Sequence, residues 1–203
     1  SFSSSSLRRR VVYRFSVCFC MLDDVFNSFF KIEPMLSEVV QKALNDQINM
    51  EFRSSYSYLA MSSFCAIHNF PGCASWLQIQ SEEENDHAMR LRAFLLDRNC
   101  PLVLQPIEAP SAKYTTIPEV FAAALQSEIA VSQSIDNLYE LAHKEKAFAA
   151  LVELQWFISE QVEEEKTVRD IAAKFEMLKD DPSGLIDLDG DLGARSAEEA
   201  AAN

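Results

Sequence analysis

The chain has 203 residues, 48% of them hydrophobic, which is enough to bury a full core as one domain. Its 31 acidic and 18 basic residues give a formal net charge of −13. Such a surface repels nucleic acid and anionic membranes and favours cations as partners.

Only four Gly occur, three of them at or beyond Gly184, so a fold of many short strands and turns is disfavoured. No run of 18 apolar residues offers a membrane span. Cys18, Cys20, Cys65, Cys73 and Cys100 include no C-x-x-C pair, so neither a disulfide framework nor a structural zinc site is indicated.

Residues 1–33 stand apart. The first twenty hold Ser3–Ser6, Arg8, Arg9, Arg10 and Arg14 and no acidic residue. This composition reads as an organelle transit peptide, removed from the mature protein. The competing reading is that the segment is foreign to the native chain.

From Pro34 onward apolar residues recur every three or four positions, which predicts amphipathic helices. The first runs from about Pro34 to Ile67 and is interrupted by Asn69, Pro71 and Gly72. The second spans about Cys73 to Arg98. An irregular stretch follows, over 100–115, with Pro101, Pro106 and Pro110. At the third helix Thr116 caps, Glu119 reaches back as its capping-box partner, and Pro118 sits in the first turn. That helix continues to about His143, and a fourth spans about Lys146 to Leu178. A short fifth helix begins at Asp181-Pro182, and residues 196–203 read as a flexible tail.

Connection lengths set the topology. The short links make helices one and two, and helices three and four, antiparallel hairpins. The second helix is roughly 39 Å long at 1.5 Å per residue. The link after it reaches roughly 53 Å when extended, so it can run the length of the bundle. The expected fold is all-α: a four-helix bundle over residues 34–195, with one long crossover between the second and third helices and a short fifth C-terminal helix.

Charges interrupt the inward faces of all four helices. The apolar stripes read Leu44, Ile48, Glu51, Ser55, Tyr58, Leu59; then Trp76, Gln80, Glu83, Glu84, His87, Leu91, Phe94, Leu95; then Phe121, Leu125, Glu128, Val131, Ile135, Leu138; then Trp156, Phe157, Glu160, Gln161, Glu164, Val168, Ile171, Phe175. A buried carboxylate costs several kcal/mol or takes up a proton unless something neutralises it. One on each of four helices is accounted for by a shared divalent cation, and oxygen ligands select Fe, Mn or Mg. Glu84 and His87 are three apart, as are Gln161 and Glu164, so each pair shares a helix face. Any one of these segments alone would be an ordinary solvated helix surface. His68 and His143 lie near helix ends and read as structural or solvent-facing, and Glu82 and Glu165 point away from the stripes.

With these residues in view, the chain resembles the non-haem ferritins of prokaryotic type. The resemblance is carried by residues 45–61, by Glu83-Glu84-Asn-Asp-His87, by Glu128, by residues 154–166 and by the tail 181–193. It covers about residues 35–195. It implies a ferroxidase centre in which Glu51, Glu84 and His87 hold one iron, and Glu84 bridges to a second held also by Glu128 and Glu164, with Gln161 alongside. It implies a third iron position with Glu83, Glu160 and Glu163 as ligands and Glu164 shared, and Tyr58 and Trp156 as electron donors. For both aromatics, core packing explains the sequence equally well.

Two departures from related proteins matter. The fourth helix offers Gln161-x-x-Glu164 in place of a second E-x-x-H, and Asn85 stands where bacterioferritins carry a haem-ligating Met, so no haem is expected. Val162 replaces a histidine often found there, at a position that is not a ligand.

The resemblance further implies Fe(II) oxidation by O₂, storage of ferric mineral, and a homo-oligomeric cage of 24 subunits. A non-catalytic storage subunit and a di-iron peroxidase or oxygenase are the alternatives. A prokaryotic-type ferritin behind a transit-like leader points to a plastid, with mitochondrion second, or cytoplasm if the leader is not native.

Overall fold

The computed structural model describes residues 33–110 and 113–202, with side chains as far as Ala194. Five helices and no strand occur among them: α1 (Glu38–Ile67), α2 (Pro71–Asp97), α3 (Ile117–Lys144), α4 (Phe148–Leu178) and α5 (Pro182–Ala202). α1 packs along α2 and α3 along α4, α1 also meets α3, and α5 lies mainly against α2. Gln47 meets Ser134 while Tyr58 meets Glu128. Rising numbers on α1 therefore face falling numbers on α3, so α3 runs antiparallel to α1 and parallel to α2, as the long crossover requires. No helix among the described residues is long and apolar enough to cross a membrane.

Helix ends follow local chemistry. α1, α2 and α3 stop in the same way, with Asn69, Asn99 and Lys146 in the left-handed region at φ 63, 54 and 55°. In each, the following amide bonds the carbonyl five residues back: Phe70 to Cys65, Cys100 to Leu95, Ala147 to Ala142. These are Schellman ends, and in this glycine-poor chain Asn and Lys occupy the position glycine usually takes. At α3, Thr116 Oγ1 accepts from the Glu119 amide, and the Glu119 carboxylate accepts in return from the Thr116 amide and also from the amide and hydroxyl of Thr115. The capping box is formed as expected, and Thr115 adds further donors to it.

The crossover is fixed by two asparagines of α1. Asn45 donates to the Pro101 carbonyl and accepts from the Val103 amide; Asn49 donates to the Val103 carbonyl and accepts from the Gln105 amide. One turn apart on the helix, they stand in for a neighbouring strand and satisfy an extended segment that would otherwise lack partners.

α5 is the expected fifth, C-terminal helix. Asp181 accepts from the Ser183 amide and so caps it. Its docking on α2 needs glycine. A Cβ on Gly72 would fall 1.8 Å from the carbonyl oxygen of Asp189 and 2.9 Å from the Gly193 nitrogen. The buried Asp189 side chain accepts from the amides of Gly72 and Cys73 at 3.2 and 2.7 Å. α2 has no side-chain cap from its own sequence, and α5 supplies one.

The apolar core falls into two clusters. One gathers Leu44, Ile48, Ala88, Leu91, Val131, Leu154 and Phe157. The other holds Met61, Leu77, Phe121, Ala124, Val168 and Phe175. On every one of α1–α4 the two are separated by polar residues at mid-helix. The leader expected over 1–33 lies, apart from Glu33, outside the described residues.

Candidate metal centre

Each of α1–α4 sends polar side chains into the gap between the apolar clusters. α1 contributes Glu51 and, seven residues later, Tyr58; α2 contributes Glu84 and His87; α3 contributes Glu128; α4 contributes Gln161 and Glu164. Glu51 and Glu128 have no solvent-exposed surface at all, and Glu84 has 2%. Ligand atoms of Glu51, Glu84 and His87 all lie within 4.8 Å of one another, as do those of Glu84, Glu128 and Glu164. Glu84 belongs to both groups and joins them.

Hydrogen bonds satisfy this cluster only in part. Tyr58 donates its hydroxyl proton to Glu128 Oε1. The Gln161 amide lies 3.3 Å from both the main-chain carbonyl and Oε2 of Glu128, and 3.2 Å from Ser132 Oγ. Gln47 donates to Glu51 Oε1 at 2.8 Å. Oε2 of Glu51, Glu84 and Glu164 is buried with no hydrogen-bond partner. Three orphaned carboxylate oxygens in one interior gap suit the donor set of a hard cation.

Electrostatics point the same way. Burial raises the proton affinity of all four carboxylates, Glu51 to about 7 and Glu164 to about 9, with Glu84 and Glu128 also raised. Neighbouring carboxylates add to the rise at Glu84 and Glu164. Burial lowers His87 to about 4, so its ring is neutral and free to act as a ligand. Its approaches to Glu84 (3.7 Å) and Glu164 (3.9 Å) are therefore not ion pairs. Tyr58 keeps its proton, held by burial and by the carboxylates nearby.

The outer carboxylates behave differently. Glu83, Glu160, Glu163 and Glu164 line a cavity of about 290 Å³ with Trp76, Gln80 and Thr167. Glu160 joins His87 and Glu164 within 4.8 Å. Glu83 and Glu163 are exposed and stand outside every such group, and Gln80 bonds Glu83. Glu83 and Leu59 were expected on inward stripes and are not there. Each sits one residue, or 100°, from a buried neighbour, and the buried face is narrower than single-residue steps allow. Trp156 is half-buried, edge-on to His87 with centroids 5.4 Å apart, and the Arg90 guanidinium lies 3.9 Å over its ring. His68 and His143 are exposed, as is Glu82, and Glu165 pairs with Arg169.

The sequence reading missed Gln47, Asn45, Asn49 and Asp189, all buried. For Gln47 a signal existed, since it lies one turn before Glu51 on the same face. The partners of the other three are distant in sequence.

The family model for the ferritin-like domain matches residues 41–178. A probable bacterial non-heme ferritin-like protein of Haemophilus influenzae is 38% identical over 164 residues, covering 81% of this chain and 99% of its own. A bacterial non-heme ferritin of Staphylococcus epidermidis is 34% identical, with the same coverage of both. An open-pore ferritin from the archaeon Archaeoglobus fulgidus superposes with a TM-score of 0.77 at 35% identity, covering 79% of this chain and 98% of its own. Such bacterial relatives overturn the plastid location read from a prokaryotic-type resemblance behind a transit-like leader.

Proposed function

This chain belongs to the ferritin family, and from that premise we propose that it is an iron-storage protein with its own ferroxidase centre. Glu51, Glu84 and His87 hold one Fe(II). Glu84, Glu128 and Glu164 hold the second, with Gln161 beside it. The supporting observation is the meeting, between two apolar clusters, of carboxylates from four helices, three of which keep a buried oxygen without a partner.

The chemistry follows from charge. Bringing a divalent cation into the gap displaces protons from carboxylates whose proton affinity burial has raised. Anionic oxygens attract Fe(III) more strongly than Fe(II), which lowers the reduction potential and favours electron transfer to O₂. Two irons supply two electrons together. One His among many oxygens makes the second position a weak hold, suited to iron that passes on to storage.

Glu83, Glu160 and Glu163, with Glu164 shared, form a third and more open iron position at the cavity beside the pair. Tyr58, bonded to Glu128, and Trp156, edge-on to His87, serve in this reading as electron donors. Ferric product is stored as mineral inside a homo-oligomeric shell of 24 subunits. Anaerobic addition of Fe(II) to crystals should give two metal peaks between Glu51, His87, Glu128 and Glu164. Oxygen consumption on Fe(II) addition should fall at least a hundredfold in Glu84→Ala, and unchanged consumption in that variant would sink the catalytic reading.

A further inference from the structure

Glu51 offers its two oxygens unequally. Oε1 accepts from Gln47 Nε2 at 2.8 Å, and Oε2 is buried without a partner. Gln47 itself is 1% exposed, so its amide cannot turn to water for alternative bonds. Its oxygen is occupied too, since Ser134 Oγ on α3 donates to Gln47 Oε1 at 2.5 Å. A buried amide has two ways round that look alike in shape and differ in chemistry. With the Ser134 hydroxyl donating to the oxygen, the NH₂ must face Glu51. Reversed, an amide oxygen would face an oxygen of the anionic, metal-binding form of Glu51 with no proton between them.

We propose that Gln47, locked by Ser134, is a positioning residue that withholds one oxygen of Glu51 and leaves the other as the single ligand atom. The inference rests on the metal-centre reading above and deepens it. Gln47 acts through Glu51 and touches no reacting atom. The Ser134–Gln47–Glu51 chain ties α3 to α1 beside the site, so the spacing of two helices also sets the angle at which the ligand is presented. Releasing Oε1 would let Glu51 rotate and chelate through both oxygens, changing the coordination number of the first metal. Outer partners of metal ligands commonly matter at this level, on the order of 10-fold in affinity.

Co(II) titration of the full-length apo-protein tests this without any oxidation, because the visible absorption of Co(II) reports its coordination. Gln47→Met, close in volume, should weaken the first binding step on the order of 10-fold and lower the absorption per ion as coordination number rises. Ser134→Ala should move the spectrum in the same direction by less, and Ser134→Thr, which keeps the hydroxyl, should restore it. Should Gln47→Met fold poorly, the Ser134 pair decides the matter alone. Wild-type spectra and affinity in both Gln47→Met and Ser134→Ala would overturn the proposal and leave the metal centre standing. Absence of Co(II) binding to the wild-type chain at any position lost in Glu51→Ala would overturn both.

Discussion

Two sets of carboxylates lie side by side in this molecule and live under different physics. The inner set, Glu51, Glu84, Glu128 and Glu164, is enclosed by four helices. The outer set, Glu83, Glu160 and Glu163, lines a cavity at its edge, with Glu83 and Glu163 in water. An exposed carboxylate costs the fold almost nothing and holds a cation loosely. An enclosed one opposes folding whenever it is charged, and a cation relieves that opposition. Function and stability are thus set against each other in the inner set and are nearly independent in the outer one.

The largest test of this contrast is Glu84→Gln. Glu84 belongs to both inner groups, so metal affinity at both positions should fall by two orders of magnitude or more, read by Fe(II) or Co(II) titration. The metal-free protein should meanwhile become more stable at pH 8, by about 1–3 kcal/mol, because a neutral amide replaces a group that would ionise in the interior. A metal-free variant no more stable than wild type would break the idea that the inner set is costly.

Next in size is the pH dependence of the metal-free protein. The inner carboxylates bind protons more tightly in the folded than in the unfolded chain, with Glu51 at about 7 and Glu164 at about 9. The stability tied to their protonated forms is complete below the unfolded value of about 4.5 and is lost as pH rises through the folded values. Melting temperature should therefore fall between pH 5 and 9. Added divalent cation should reverse the trend, since its ligands must be deprotonated. Parallel curves with and without metal would contradict the assignment.

Glu163→Ala should leave the first two binding steps within about twofold and affect only a third, weaker one, because its carboxylate is exposed. A large loss at the first two steps would erase the distinction between the sets. The smallest effect lies away from both. Lys146→Gly at the end of α3 relieves a left-handed backbone and should stabilise by about 0.5–1 kcal/mol without moving any metal titration.

What the sequence disclosed follows from how far each signal reaches. Helices and the crossover were legible because helical periodicity and chain length are local quantities. The inner carboxylates were legible because a charge on an apolar stripe needs an explanation before any partner is known. The outer set was less so: Glu83 borders the stripe, and only three-dimensional packing shows that it faces water. Asn45 and Asn49 read as ordinary helix polar residues, since their partners are backbone groups in the crossover. The location assigned from the leader failed because composition in 33 residues is a weak guide against relatives spanning the rest.

The carboxylate of Asp189 reaches amides 117 and 116 positions earlier in the chain. During synthesis, therefore, α2 emerges with its leading turn unfinished and must wait for the chain to reach Asp189. The helix that carries Glu84 and His87 is thus completed only after the other helices of the bundle have been made.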